Sequence, residues 1–317
     1  MKTLQNIVVG VDFSDSSKAA LAQAKRLVDP GVTKLHLIHI VDSLVVEDLQ
    51  KTLNESADQV TAEIRDHANT QFAEFLSSIE IDAASVDTAT RFGRPFDELA
   101  TYVDKVSADL LLLGTNGASN AARVGATASK CVRKLPCAVM LVRPDHTHDM
   151  SDVVACVDFS DNSRLVLEQA THAARRENAK LHVIHVHSAP WHVLHYRMPT
   201  PETDPRFKRE YTQQLEMKMQ DFLKSFGNAF EGVEMDSQLI DSTDPASGVT
   251  KYLLDHKADL VVLGACGRPL NQAVFLGSTA ERLIHESPCS LVMIKMPGFK
   301  LSGLESVIEA GVHALNG

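Results

Sequence analysis

At 317 residues the chain is long enough for two domains with separate cores, and a formal charge of −10 without any Lys/Arg tract excludes broad binding to a nucleic-acid backbone. Five cysteines, an odd count with no C-x-x-C pair, read as reduced thiols and not as a disulfide framework. Asp12 interrupts the N-terminal stretch before a signal-peptide core can form, and no apolar run approaches the roughly 20 residues of a membrane span, so a cytoplasmic protein without membrane insertion is expected.

Strands and helices alternate from the start. Ile7–Val11 is an apolar run short enough for a buried strand, and Ser14 stands where it can cap a helix through Val28. Lys34–Val41 is predicted as the second strand. Val45 to about Ser77 reads as one long, mostly polar helical region with Phe72, Phe75 and Leu76 on one side. Asp82–Ala89 is expected as the third strand. Pro95 suits the first turn of a helix through Val106, where its missing N–H would be unpaired anyway. Leu110–Leu113, Gly125–Lys134 and Ala138–Val142 follow as strand, helix and strand.

The chain then repeats this plan. At an offset of 146, Val8–Asp15 falls on Val154–Asp161, and Leu35–Ile40 falls on Leu181–Val186. The offset is 150 where Arg94-Pro95 meets Asp244-Pro245, and 152 where Pro136-Cys137 meets Pro288-Cys289. A period of this length is duplication of a whole domain, since solenoid units are much shorter. The expected fold is α/β: two tandem doubly wound domains, each a five-stranded parallel sheet in the order 3-2-1-4-5 with helices on both faces. The domains are placed at residues 1–145 and 151–297, with a tail at 298–317 that carries a short amphipathic helix over 301–312. The polar, proline-started stretch at 144–149 is the seam.

Ligands of such sheets bind beyond the carboxyl ends of the strands, where the strand order reverses. In the second half that places Asp158, closing the first strand, beside Leu263 and Gly264 at the end of the fourth. Gly264-Ala265-Cys266-Gly267 is followed by nine residues and then by Gly277-Ser278-Thr279-Ala280 at a helix start. A glycine loop running into a helix N-terminus makes an anion site, through unpaired N–H groups and the helix dipole. The same glycines also suit a plain strand-to-helix turn, and Asp158 also suits a turn or cap. Together, a carboxylate for a base amino group and a loop for phosphates describe a nucleotide site.

These residues resemble the universal stress protein family, in its tandem two-domain form. The G-x2-G-x9-G-S/T pattern of its ATP-binding members is met by Gly264, Gly267, Gly277 and Ser278. The resemblance implies that Asp158 and the backbone at Val186 lie near adenine, that Thr279 lies beside the phosphates, and that ATP or a related nucleotide is a ligand, with no required cofactor. It also implies a non-catalytic stress-response role. No arginine finger, paired acids or activated nucleophile is recognisable in the sequence. The two halves are expected to pair through their last strands as an internal pseudo-dimer, and a homodimer of the chain stands beside that expectation.

The first half departs from the pattern. Its loop runs Gly114-Thr115-Asn116-Gly117, then only seven residues to Gly125, with Ala126 where the second half has Ser278. It is expected to bind more weakly or not at all. Two apolar segments of the second half, 188–201 with Trp191 and 269–276, allow a competing ligand: an amphiphile with a nucleotide or phosphate head and a lipid-like tail. A ligand-free interaction scaffold is the third reading. His185, His187, His192 and His195 lie within eleven residues but lack the spacing or cysteine partner of a metal site. Cys266, inside the glycine loop, and Cys137 and Cys289, after matched prolines, read as packing residues.

Overall fold

The computed structural model describes residues 4–115, 124–144, 149–191, 205–265 and 276–296. The chain divides into two compact units, Met1–Thr147 and His148–Gly317. In the first, β1 (Asn6–Val11), α1 (Asp15–Leu27), β2 (Lys34–Val41), α2 (Ser43–Leu53), α3 (Ala57–Ser77), β3 (Val86–Phe92), α4 (Pro95–Lys105), β4 (Leu110–Gly114), α5 (Ala126–Lys134) and β5 (Ala138–Val142) follow in order. All pairings are parallel and the strand order is β3-β2-β1-β4-β5.

The second unit runs β6 (Asp152–Cys156), α6 (Asp161–Glu177), β7 (Lys180–His187), α7 (Pro205–Lys224), β8 (Met235–Asp241), α8 (Pro245–Asp255), β9 (Leu260–Gly264), α9 (Ser278–Glu286) and β10 (Ser290–Ile294). Its order, β8-β7-β6-β9-β10, is again parallel throughout. The expected 3-2-1-4-5 sheet is therefore present in each half. The central strands are apolar on both faces because helices cover both. Ile7, Val8 and Val9 of β1 and Val153, Val154 and Ala155 of β6 have no exposed surface.

Two local expectations need correction. The third strand starts at Val86, not at Asp82. Asp82 instead accepts the Ala84 N–H at 3.0 Å and caps a short 3-10 turn, Ala83–Ser85. The polar region after β2 is two helices. Asn54 ends α2 in the left-handed conformation (φ 57°), which Asn tolerates better than most residues, and Ser56 with Gln59 starts α3 through a reciprocal capping box.

The turn after the first strand of each half sets up everything downstream. Ser14 and Ser160 cap α1 and α6 by accepting the Ser17 and Ser163 N–H groups. The residue before each cap is a phenylalanine with positive φ, 61° at Phe13 and 63° at Phe159. A bulky side chain is strained in that region, and ring packing offsets the strain. Phe159 lies 4.4 Å from the His185 ring and 5.6 Å from Phe222, and Phe13 lies 4.8 Å from His39 and 5.2 Å from Phe72.

Candidate functional site

Strands β6 and β9 are neighbours, paired from Val153↔Leu260 to Ala155↔Val262, and the strand order reverses between them. Beyond their carboxyl ends lies a cavity of about 250 Å³. Asp158, Val186, Leu263, Gly264, Gly277, Ser278 and Thr279 all line it. The two stretches that the sequence places at one crevice, over a hundred residues apart, do meet there. Gly267, the remaining predicted residue, lies outside the described residues, as do Cys266 and the loop interior.

Asp158 is held by its own turn. Its Oδ1 accepts from the Ser160 N–H at 3.0 Å, from Ser160 Oγ at 2.5 Å and from Ser163 Oγ at 2.6 Å, while its N–H donates to Ser163 Oγ at 2.8 Å. Oδ2 takes none of these bonds. Burial pushes the carboxyl pKa up, but the donors on Ser160 and Ser163 outweigh it and hold the group below the usual 3.8. An ionised acid with one oxygen uncommitted is an acceptor for an amino group. The turn bonds of Asp158 thus fall on one oxygen of a side chain that also lines the cavity.

At the opposite wall, the Ala265 carbonyl accepts the Gly277 N–H at 2.9 Å and brings the start of α9 under β9. Gly277 is the N-cap residue and has no side chain to cap the first turn. The N–H groups of Ser278, Thr279 and Ala280 begin the helix at the cavity wall, and the helix dipole adds its positive end there. The two glycines differ in what they permit. Among the described residues, a Cβ on Gly277 would meet nothing nearer than the Ala265 oxygen at 3.8 Å. A Cβ on Gly264 would sit 2.4 Å from Asn162 Nδ2, so this glycine lets α6 approach the sheet.

The cavity also takes in residues the motif does not contain. Asn162 and Ser163 come from the first turn of α6, Ile184 from β7, and Pro245 and Val249 from α8. Ser163 had a signal, its i, i+3 spacing from Ser160. Pro245 and Val249 had only topology, as one face of the helix that follows the third strand.

Several other expected features lie apart from the cavity. Trp191 is buried against α7, its ring 5.8 Å from Phe207 and 5.3 Å from Tyr211. The remainder of the segment at 192–204, with His192 and His195, and the tail at 301–312 lie outside the described residues. His185 Nδ1 donates to the Val157 carbonyl at 2.7 Å, and its ring stacks 6.2 Å from His187. Among the described residues, no group of three or more His, Cys, Asp or Glu side chains is placed to hold a metal ion. Cys137 and Cys289 are buried, and Cys156 lines the cavity with its thiol pKa driven up by burial and by the proximity of Cys289.

In the first half, Gly125 caps α5 and Ala126 opens it. Asp12 Oδ1 accepts from Ser14, through its N–H at 3.1 Å and its hydroxyl, while Ser17 Oγ turns to the Ser14 carbonyl at 2.9 Å. Leu113 leans across the end of β1: its Cδ2 lies 2.4 Å from where a Cβ on Gly10 would stand, the position that Cys156 occupies in the second half.

The model of the universal stress protein family matches this chain twice, over residues 3–143 and 150–295. Universal stress protein E of Photorhabdus laumondii is 24% identical over 319 aligned residues, covering 95% of this chain and 98% of that protein. A universal stress protein of Thermus aquaticus is 24% identical over 145 residues, 45% of this chain and 97% of its own length. A solved universal stress protein from Archaeoglobus fulgidus superposes with a TM-score of 0.58 at 20% identity, over 92% of this chain and 98% of that one. A functionally unknown protein from Pseudomonas aeruginosa PAO1 gives a TM-score of 0.59 at 16% identity, over 97% and 98%. At these identities the structural matches establish the fold.

Proposed function

The chain belongs to the universal stress protein family, in tandem form, and on that footing we propose that its second half is a non-catalytic binder of an adenine nucleotide, ATP or a close relative. The observation that carries this reading is the meeting of Asp158 with Gly264, Gly277, Ser278 and Thr279 around one cavity. In the reading, Asp158 Oδ2 and the Val186 backbone take the base. Leu263 packs on it, and the first turn of α9 with the glycine loop, Gly267 included, takes the phosphates. A stress-response role follows from the family. The nucleotide acts as an occupant that reports cellular state, and no step of catalysis is assigned to any residue.

The first half is the weaker or non-binding one. Ala126 removes a hydroxyl donor, and a hydrogen bond to a charged group contributes about 1.5–3 kcal/mol. Trp191 is committed to α7, which leaves the amphiphile reading without its largest apolar side chain.

Mass spectrometry of small molecules released from the purified, denatured chain tests the assignment. ATP or ADP supports it, an acyl-bearing species replaces the nucleotide with an amphiphile, and an empty protein leaves a scaffold. Gly277→Val is the matching variant, because among the described residues the nearest atom to an added Cβ is the Ala265 oxygen at 3.8 Å. It is expected to lower ATP affinity at least ten-fold with little change in unfolding temperature. Undiminished binding would remove α9 from the site.

A further inference from the structure

Helices α8 and α9 form two walls of the cavity, α8 through Pro245 and Val249 and α9 through its first turn. One side chain ties them together. Arg282, one turn into α9, donates from Nη1 to Asp244 Oδ2 at the N-cap of α8. Its Nε and Nη2 make a two-pronged contact with Glu286 of its own helix, at 3.1 and 2.9 Å. Ser247 Oγ adds a third strand to the knot, donating to the same Asp244 oxygen at 2.5 Å and lying 3.4 Å from Arg282 Nη2. The planar guanidinium thus bridges two carboxylates that it could not span if either helix shifted by much, a use to which Arg is suited and Lys is not.

The first half shows what this position looks like without a tie. At the same offsets, Arg94 replaces Asp244, Lys130 replaces Arg282 and Lys134 replaces Glu286. Three cations stand where the second half has two acids around one cation, so no ion pair among them is possible. Lys130 and Lys134 turn instead to the ring of Phe96, with Nζ at 4.2 and 6.0 Å from its centroid. The half that keeps the full glycine loop keeps the tie. The half with the shortened loop has a different residue at all three positions and the opposite charge at two of them.

We propose that Arg282 and Asp244 are a positioning pair that holds the phosphate-facing turn of α9 at a set distance from α8, and so sets the affinity of the site for the phosphate portion of its ligand. This rests on the nucleotide reading above. Neither residue is among those lining the cavity, so the pair acts through the placement of Ser278, Thr279 and Ala280. A link between partly exposed groups is modest in strength, which sets the expected effect at about five-fold.

The test titrates the full chain and its Asp244→Asn, Arg282→Gln and double variants with ATP and, separately, with adenosine. Each single variant is expected to lower the ratio of ATP to adenosine affinity about five-fold, and the double variant no further, since one link is cut in all three. Loss of packing alone would weaken both ligands together, and unfolding temperatures identify it. An unchanged ratio in the single variants, or losses that multiply in the double, overturns the pair. A parent chain that binds neither ligand overturns the nucleotide reading and the pair with it, whereas ATP binding that Gly277→Val abolishes but these variants leave intact overturns the pair alone.

Discussion

Asp158 Oδ1 carries three hydrogen bonds from Ser160 and Ser163, and this local cage keeps the acid ionised and aimed. His185 stands beside it, with its pKa lowered by burial and by the neighbouring His187 and Lys218, against the opposing pull of the Val157 carbonyl and Asp158. Burial likewise lowers His36 and His172. An imidazole whose folded-state pKa lies below the unfolded value of 6.5 takes up its proton more readily when the chain unfolds. Stability is therefore full above about pH 6.5 and declines as the pH falls from there through the folded-state values. Thermal unfolding between pH 7.5 and 5 should show this decline on the alkaline side of any carboxylate titration. His185→Asn should reduce its slope, and an unaltered slope would remove His185 from the cause.

At the level of the elements, the duplication is unequal in strength at matched positions. His182 of β7 is buried and joins three elements: its Nε2 meets Asp152 Oδ1 of β6 at 2.9 Å, and its Nδ1 lies 3.0 Å from the Tyr252 hydroxyl of α8 and 3.2 Å from Asp236 of β8. The matched His36 of β2 makes longer contacts, 3.4 Å to Asn6 Oδ1 and 3.4 Å to Asp87. Removing a buried hydrogen-bonded group strands its partners, at roughly 1–3 kcal/mol. His182→Ala should destabilise its half by an amount in that range and by more than His36→Ala does, as read from denaturant midpoints. Equal losses would mean that packing, not hydrogen bonding, sets the cost at both sites.

The same inequality reaches the whole molecule. Two halves share one fold, each with an acid after its first strand and a glycine N-cap, yet the described cavity and the ion-pair tie belong to the second. Among the described residues, no helix is long and apolar enough to cross a membrane. Native mass spectrometry of the intact chain with excess ATP should show one nucleotide per chain. Two equivalent sites would mean that neither the shorter loop nor Ala126 weakens the first half.

Much of this was legible in the residues because α/β sheets are built from short apolar runs with local punctuation. The strands at Lys34–Val41 and Ala138–Val142 coincide with the predicted bounds, and Ser14 caps α1 as its position suggests. The expected third strand begins four residues early, since Asp82-Ala83-Ala84-Ser85 lacks the β-branched residues of a strand and its acid side chain closes a turn instead. The break at Asn54 was missed for a similar reason: helical periodicity runs on through a residue whose backbone alone departs from it.

By itself the sequence determined the duplication, the parallel sheet and the spacing of the glycine loop, because each is written in contiguous residues or in fixed spacing. Only the tertiary structure decided that Asp158 is caged by Ser163, that Gly264 serves the approach of α6, and that Asp244 and Arg282 bind two helices together. Those contacts depend on where helix faces fall after packing, and side chains 38 residues apart, as at Asp244 and Arg282, carry no mark of each other until the fold brings them into reach.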